Sequence, residues 1–195
     1  MKTNYIKDNY QFQLLTKEHD LNDFECTSKD LSDFLKKDAL DQQEMCLNTT
    51  NLIICDGKII GFVSLLADTF KLGKIEDENV RNRIKEKLRI TGNKNNIPAV
   101  KIGRFAIDKE YSGKGLGKHI FRSILFSLTK LKKAVGFKYI TIDAYASAFE
   151  FYVYKHDFKY HKDDEKNVKK IKEIIKKDPE RRFTLYKDLE DLKEL

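Results

Sequence analysis

The residues best able to do chemistry in this chain lie between Ser112 and Lys118, where three glycines, Gly113, Gly115 and Gly117, alternate with larger residues. Glycine has no Cβ, so the backbone of such a turn can come close to a ligand. Unpaired N–H groups at the start of a following helix, aided by its dipole, attract an anion. The chemistry in prospect is the holding of a phosphorylated ligand, and spacing excludes two familiar solutions. A P-loop needs one more residue between Gly113 and Lys118, and His119 stands where its magnesium-binding hydroxyl belongs. A dinucleotide fingerprint reads G-x-G-x-x-G, whereas this turn reads G-x-G-x-G with no acidic residue at the ribose distance.

A strand must deliver the chain to this turn and a helix must carry it away. Val100 to Ile107 has the apolar, β-favouring content of a central strand. Gly115 to Lys132 carries Leu116, Ile120, Ile124 and Leu128 as the buried stripe of a helix closed by Gly136. Tyr139 to Ala144 is the next strand, which the crossover rule places parallel to the first. Upstream, Tyr10 to Leu15 alternates as a strand. Asp20 to Gln43 predicts two helices interrupted at Phe24-Glu25-Cys26, the second capped by Ser28 or Asp30. Asn51 to Cys55 and Ile59 to Leu66 form a hairpin through Asp56-Gly57, with apolar content fitting the middle of a sheet. A polar insertion follows, with one amphipathic helix marked by Val80, Ile84 and Leu88 and ringed by Arg81, Arg83, Lys85, Lys87 and Arg89. Ser147 to Lys155 reads as a short aromatic helix, Phe158 to Tyr160 as a strand, Asp164 to Lys177 as a charged helix, and Arg182 to Tyr186 as a last strand.

With 195 residues, 41% hydrophobic and 35% charged, and only two prolines, the chain reads as one α/β (α+β) domain over 1–195. Its parts include the helical insertion at 68–97, a charged helical elaboration at 161–181 and a tail at 187–195. The net charge of +7 can draw an anionic ligand or nucleic acid, although lysine-rich surfaces commonly serve solubility. Cys26, Cys46 and Cys55 are odd in number and show no C-x-x-C spacing, so neither a disulfide framework nor a metal site is expected. The opening MKTNYIKDNYQ lacks a signal-peptide core and no apolar run reaches membrane-spanning length; a cytoplasmic protein with no membrane partner is expected.

Ser112-Gly113-Lys114-Gly115-Leu116-Gly117 resembles the acyl-coenzyme A loop of the GCN5-related N-acetyltransferases (GNAT), Q/R-x-x-G-x-G/A, with Ser112 in place of the usual Gln or Arg. The element order β, α, α, β, β, β, α, β, α, β is also similar to that fold: a central mixed, mostly antiparallel sheet flanked by helices, with a helical insertion before the coenzyme-binding strand. Phe24-Glu25-Cys26 with Leu31-Ser32-Asp33-Phe34-Leu35, the insertion before GRFAID, and Ala148-x-x-Phe151-Tyr152 after IDA look like one branch of the superfamily. That branch includes the TacT-type toxins, which acetylate the free α-amino group of aminoacyl-tRNA. Glu25 and Thr27 replace its usual Asp and Gly, and one residue more than is typical separates Tyr152 from Phe158.

The resemblance implies acetyl-CoA as co-substrate. Phe105, Ala106 and Ile107 would pair with the pantetheine arm, and Ser112, Gly113, Lys114, Gly115, Leu116, Gly117 and Lys118 would hold the pyrophosphate. Acetyl transfer needs a neutral amine, donors for the developing oxyanion and a proton for the leaving thiolate. Tyr152 is the expected general acid, with Tyr154 its alternate if the added residue shifts the register. No base is evident, although Asp143 or a water chain could take the ammonium proton. His119, on the helix after the loop, reads as structural. Arg104, Arg81, Arg83 and Arg89 offer a track for tRNA phosphates. Two other readings stand beside aminoacyl-tRNA acetylation: a GNAT enzyme acting on a protein or small-molecule amine, and a non-catalytic module that binds coenzyme A or RNA. A small antitoxin and a homodimer stay open as partners.

Overall fold

The computed structural model describes residues 1–75, 77–92, 95–161 and 164–192. Seven strands are ordered β1-β2-β3-β4-β5-β7-β6: β1 (Gln11–Leu14), β2 (Thr49–Cys55), β3 (Lys58–Lys71), β4 (Asn96–Ile107), β5 (Tyr139–Tyr145), β6 (Lys159–Tyr160) and β7 (Arg182–Asp188). Ladders β1/β2, β2/β3, β5/β7 and β6/β7 are antiparallel and β4/β5 is parallel, so the sheet is mixed and mostly antiparallel, as expected. The chain forms two compact units, Met1–Ala67 with Ile102–Leu128, and Asp68–Lys101 with Thr129–Leu195. Strands β3 and β4 run through both.

In the first unit, α1 (Thr3–Asn9) precedes β1 and was not expected; its one buried residue, Ile6, is too little to give a periodic signal. Two helices were expected over Asp20 to Gln43. Instead there is one helical run, α2 (Lys29–Asp33), a π-helical turn (Phe34–Asp38) and α3 (Ala39–Glu44), capped by Ser28 rather than Asp30. The reason lies in the backbone amides upstream. Asn22 N–H bonds to Asp20, Glu25 N–H to Asp108 and Cys26 N–H to the Ser32 hydroxyl, so side chains take the donors that a helix would need. The hairpin forms at Asp56-Gly57, both residues at positive φ (48° and 74°), as a type I′ turn requires. Leu15, Phe24, Phe34, Leu35, Leu52, Phe62 and Ala106 make the core of this unit. The helix after the glycines, α5 (Leu116–Leu131), buries the expected Leu116, Ile120, Ile124 and Leu128, together with Phe121 and Leu125. It ends in turns at Lys133 and Ala134, not at Gly136.

In the second unit, β4 and β5 pair over Ala99–Tyr139, Val100–Ile140 and Lys101–Thr141. The insertion helix α4 (Glu78–Lys87) is capped by Asp77, whose carboxylate accepts from Asn79 and Val80 N–H. Ile84 and Leu88 pack against a cluster of Phe70, Leu72, Ile97, Ala99 and Tyr139, whereas Val80 stays exposed. The aromatic helix α6 (Phe149–His156) follows a 3-10 turn (Ala146–Ala148). The charged helix is two helices, α7 (Glu165–Lys169) and α8 (Ile171–Lys177), parted at Lys170. Of the segments read as a charged elaboration and a tail, residues 162–163 and 193–195 lie outside the described residues; Lys187 and Asp188 are strand, and Leu189–Asp191 a 3-10 turn. No described helix is long and apolar enough to cross a membrane.

Candidate functional site

The first unit brings together the loop and strand singled out in the sequence. Gly113 and Gly115 sit at φ of 77° and 76°, left-handed conformations that residues with a Cβ adopt only at a cost. This folds the turn back so that α5 begins immediately after it, with Gly115 and Lys114 at the surface. Gly117 lies one ordinary contact from β4: a Cβ there would meet Ile107 Cγ1 at 3.5 Å. Phe105 packs on Phe121 of α5 with ring centroids 5.2 Å apart. Ser112 is half-buried, and Lys114 Nζ donates to the Glu110 carbonyl at 3.2 Å, which keeps its charge beside the loop. Leu116 is buried and anchors the helix start, while Lys118 is exposed. The ladder with β5 ends at Lys101, so Phe105, Ala106 and Ile107 lie on a length of β4 beyond it.

One residue behind this arrangement was not singled out in the sequence. Asp108, at the end of β4 and nearly buried, accepts from Glu25 N–H at 3.0 Å and from Glu110 N–H at 2.8 Å. It thereby fastens the Phe24-Glu25-Cys26 segment and the entry to the glycine turn to the same carboxylate. An acidic residue directly after an apolar strand was the available signal. Lys109 pairs with Glu25, and that hydrogen bond and charge hold the Glu25 carboxyl below its usual range.

Arg104 also lies in this unit. Its guanidinium stands 4.9 Å from the centroid of the Phe34 ring and donates to the Gly103 carbonyl at 2.9 Å, so it is half-buried and oriented. His119 lies edge-on to Tyr10 with ring centroids 5.9 Å apart.

The second unit holds the two tyrosines. Tyr152 is 7% exposed and Tyr154 is 62% exposed, so their surroundings are opposite although two residues separate them. Burial alone drives the Tyr152 phenol well above its ordinary value of 10, so it carries its proton throughout the neutral range. Phe151 and Phe158 enclose it edge-on at 5.0 and 6.1 Å. Helix α6 stops at Asp157, in the left-handed region at φ 56°, and the Tyr152 carbonyl accepts from both Asp157 and Phe158 N–H. Lys187, buried on β7, donates from Nζ to the His156 carbonyl at 2.8 Å, closing the last turn of the same helix. Desolvation lowers its pKa. No periodicity could have shown this lysine's part, because only the fold sets it under α6.

Asp143 is a poor base. Burial pushes its pKa upward, but the Lys101 ammonium at 2.5 Å and the Thr184 hydroxyl at 3.0 Å outweigh that, and the net shift is downward. Of the insertion cations, Arg81 donates to the Ile75 carbonyl, Arg83 points to solvent, and Arg89 is exposed at φ 52° where α4 ends.

A glycine turn that opens directly into a long helix, after a strand fixed to it by packing, is suited to holding a phosphorylated ligand. The chain belongs to the acetyltransferase (GNAT) family, whose profile matches residues 10–158, and it is an N-acetyltransferase. Among curated proteins it is similar to a tRNA-acetylating toxin of Mycobacterium tuberculosis (strain ATCC 25618 / H37Rv), 24% identical over 136 residues that cover 69% of this chain and 76% of the relative. Among solved structures it resembles a tyrosine-to-phenylalanine mutant of KacT, with TM-score 0.72 and 18% identity over 94% of this chain and 96% of the other. AtaT complexed with acetyl-methionyl-tRNAfMet matches with TM-score 0.70 and 16% identity over 94% and 97%. An AtaT mutant bound to the C-terminus of the antitoxin AtaR and acetyl-CoA matches with TM-score 0.63 and 18% identity over 94% and 96%. These likenesses agree with the observed fold.

Proposed function

We propose that this enzyme transfers the acetyl group of acetyl-CoA to the α-amine of aminoacyl-tRNA. The observation that carries the reading is the pair of left-handed glycines opening directly into α5, packed on β4. The amides of Gly113 to Lys118 meet the pyrophosphate, with Lys114 and Lys118 adding charge. The edge of β4 at Phe105, Ala106 and Ile107 receives the pantetheine amides as an added strand would. The neutral amine attacks the thioester carbonyl, the C–N bond forms and the C–S bond breaks; the nitrogen sheds its extra proton to water, the departing thiolate takes a proton from the Tyr152 hydroxyl, and solvent returns a proton to the phenolate. A tyrosine kept protonated by burial fits that role, whereas Asp143, already committed to Lys101 and Thr184, does not fit the role of base.

The acceptor class follows from the same point. An α-amine has a pKa near 8, and ester formation lowers it further, so a useful fraction is neutral at pH 7; a lysine amine at about 10.4 would need a base. The curated relative's activity and the tRNA complex of AtaT support this acceptor, and AtaR, bound to AtaT, supports a small antitoxin as partner. The test is incorporation of labelled acetyl from acetyl-CoA into charged tRNA, against protein and polyamine pools, by wild type and Tyr152→Phe. Label on charged tRNA that falls about a hundredfold in the variant is expected. Label confined to protein or polyamine would sink the acceptor assignment and leave the donor standing.

A further inference from the structure

The segment from Glu165 to Arg182 has no part in the site described above, yet its charge is markedly uneven. It holds eight lysines and arginines against four acidic residues, whereas the whole chain has 38 against 31. All eight cations are exposed, and the ion pair it makes among the described residues is Lys169 to Glu165 at 3.2 Å. On α8, Ile171 is buried and Ile174 and Ile175 are half-buried, which turns Lys172 and Lys176 outward, one helical turn apart on the same face. Like charges at that spacing destabilise a helix unless something anionic lies across them.

The segment is fixed beside the tyrosine helix. Pro179 carbonyl accepts from Ser147 N–H at 3.1 Å and Arg181 carbonyl from Ala146 N–H at 2.7 Å, both in the 3-10 turn that leads into α6. The Arg182 guanidinium lies 5.2 Å from the centroid of the Tyr145 ring and 3.3 Å from its hydroxyl. A row of exposed cations thus ends at aromatic residues next to the turn that starts the Tyr152 helix.

We propose that α7, α8 and the turn to Arg182 form a surface that grips the RNA backbone of the acceptor, with Lys172, Lys176 and Lys177 contacting phosphates. The proposal rests on the aminoacyl-tRNA reading. Lysines supply point charges to phosphates without reading sequence, so the grip is general to tRNA and sensitive to salt.

The triple variant Lys172→Gln, Lys176→Gln, Lys177→Gln is to be compared with wild type in two assays. In the first, binding of uncharged tRNA is followed by fluorescence anisotropy from 50 to 200 mM salt. Affinity should fall about tenfold at low salt, and the slope of log affinity against log salt should become shallower by about two to three. In the second, acetyl transfer to methionyl-tRNA should show a raised KM with kcat retained, while transfer to methionine methyl ester, which has the amine but no RNA, should be unchanged. Equal tRNA affinity and salt slope in the two proteins would overturn the surface, even if charged tRNA is acetylated. A wild type that acetylates the ester and not methionyl-tRNA would defeat the acceptor reading, and the binding assay would still decide the surface. Loss of activity on the ester as well would mean a damaged fold and count against the assignment.

Discussion

At the scale of single residues, Tyr152 and Tyr154 show how burial separates two side chains that spacing alone could not. Helix α6 ends at Asp157, at φ 56°, with Tyr152 inside and Tyr154 outside. Tyr152→Phe should therefore lower kcat by about two orders of magnitude with little change in KM for acetyl-CoA, and Tyr154→Phe should leave kcat within about twofold. The proton-donating form of Tyr152 persists as pH rises because its pKa is displaced upward. The pH profile of kcat should accordingly show no alkaline fall attributable to this group below pH 10, and a descending limb near pH 8 that vanishes in Tyr152→Phe would contradict the assignment.

At the scale of elements, the strand, glycine turn and helix were legible because each carries a local signature: an apolar β run, three alternating glycines and a stripe at helical spacing. The hairpin at Asp56-Gly57 was legible for the same reason. The break expected at Phe24-Glu25-Cys26 is a real one, but what precedes it is not a helix, since Asp108 claims the Glu25 amide from 83 residues away. Lys187 under α6 and Asp108 behind the glycine turn were invisible because their partners are distant in sequence. Two glycines give tests at this scale. Gly115→Ala meets no atom within 4 Å, so its cost is the left-handed φ, roughly 1–2 kcal/mol. A raised KM for acetyl-CoA is expected, with kcat less affected. Gly61→Ala would place a Cβ 2.5 Å from the Ala106 carbonyl oxygen on the neighbouring strand, and thermal unfolding should fall by several degrees, corresponding to about 1–3 kcal/mol.

At the scale of the whole molecule, composition indicated a positively charged chain able to fold, and said little of where the charge does work. Part of it is structural. Lys87 and Lys138 both pair with Glu190, and Lys138 also with Asp188 at 2.8 Å, tying the end of the chain to the insertion helix. Hydrogen bonds from the two lysines hold the Glu190 carboxyl down to about 2, below its free value of 4.5. Its stabilising effect is therefore complete above pH 4.5 and is lost as pH falls toward 2. Glu190→Gln should lower stability at pH 7 and flatten the acid limb of a stability profile, by an amount that shrinks at high salt because the group is exposed. Another part, at Lys172, Lys176 and Lys177, is the surface proposed above for the acceptor. The most direct measurement is the chemical position of the transferred acetyl: methionyl-tRNA treated with enzyme and acetyl-CoA, then hydrolysed in mild alkali and read by mass spectrometry. The account predicts release of N-acetylmethionine with unmodified tRNA; acetyl retained on the nucleotides, or methionine released unacetylated by a protein that acetylates other amines, would contradict it.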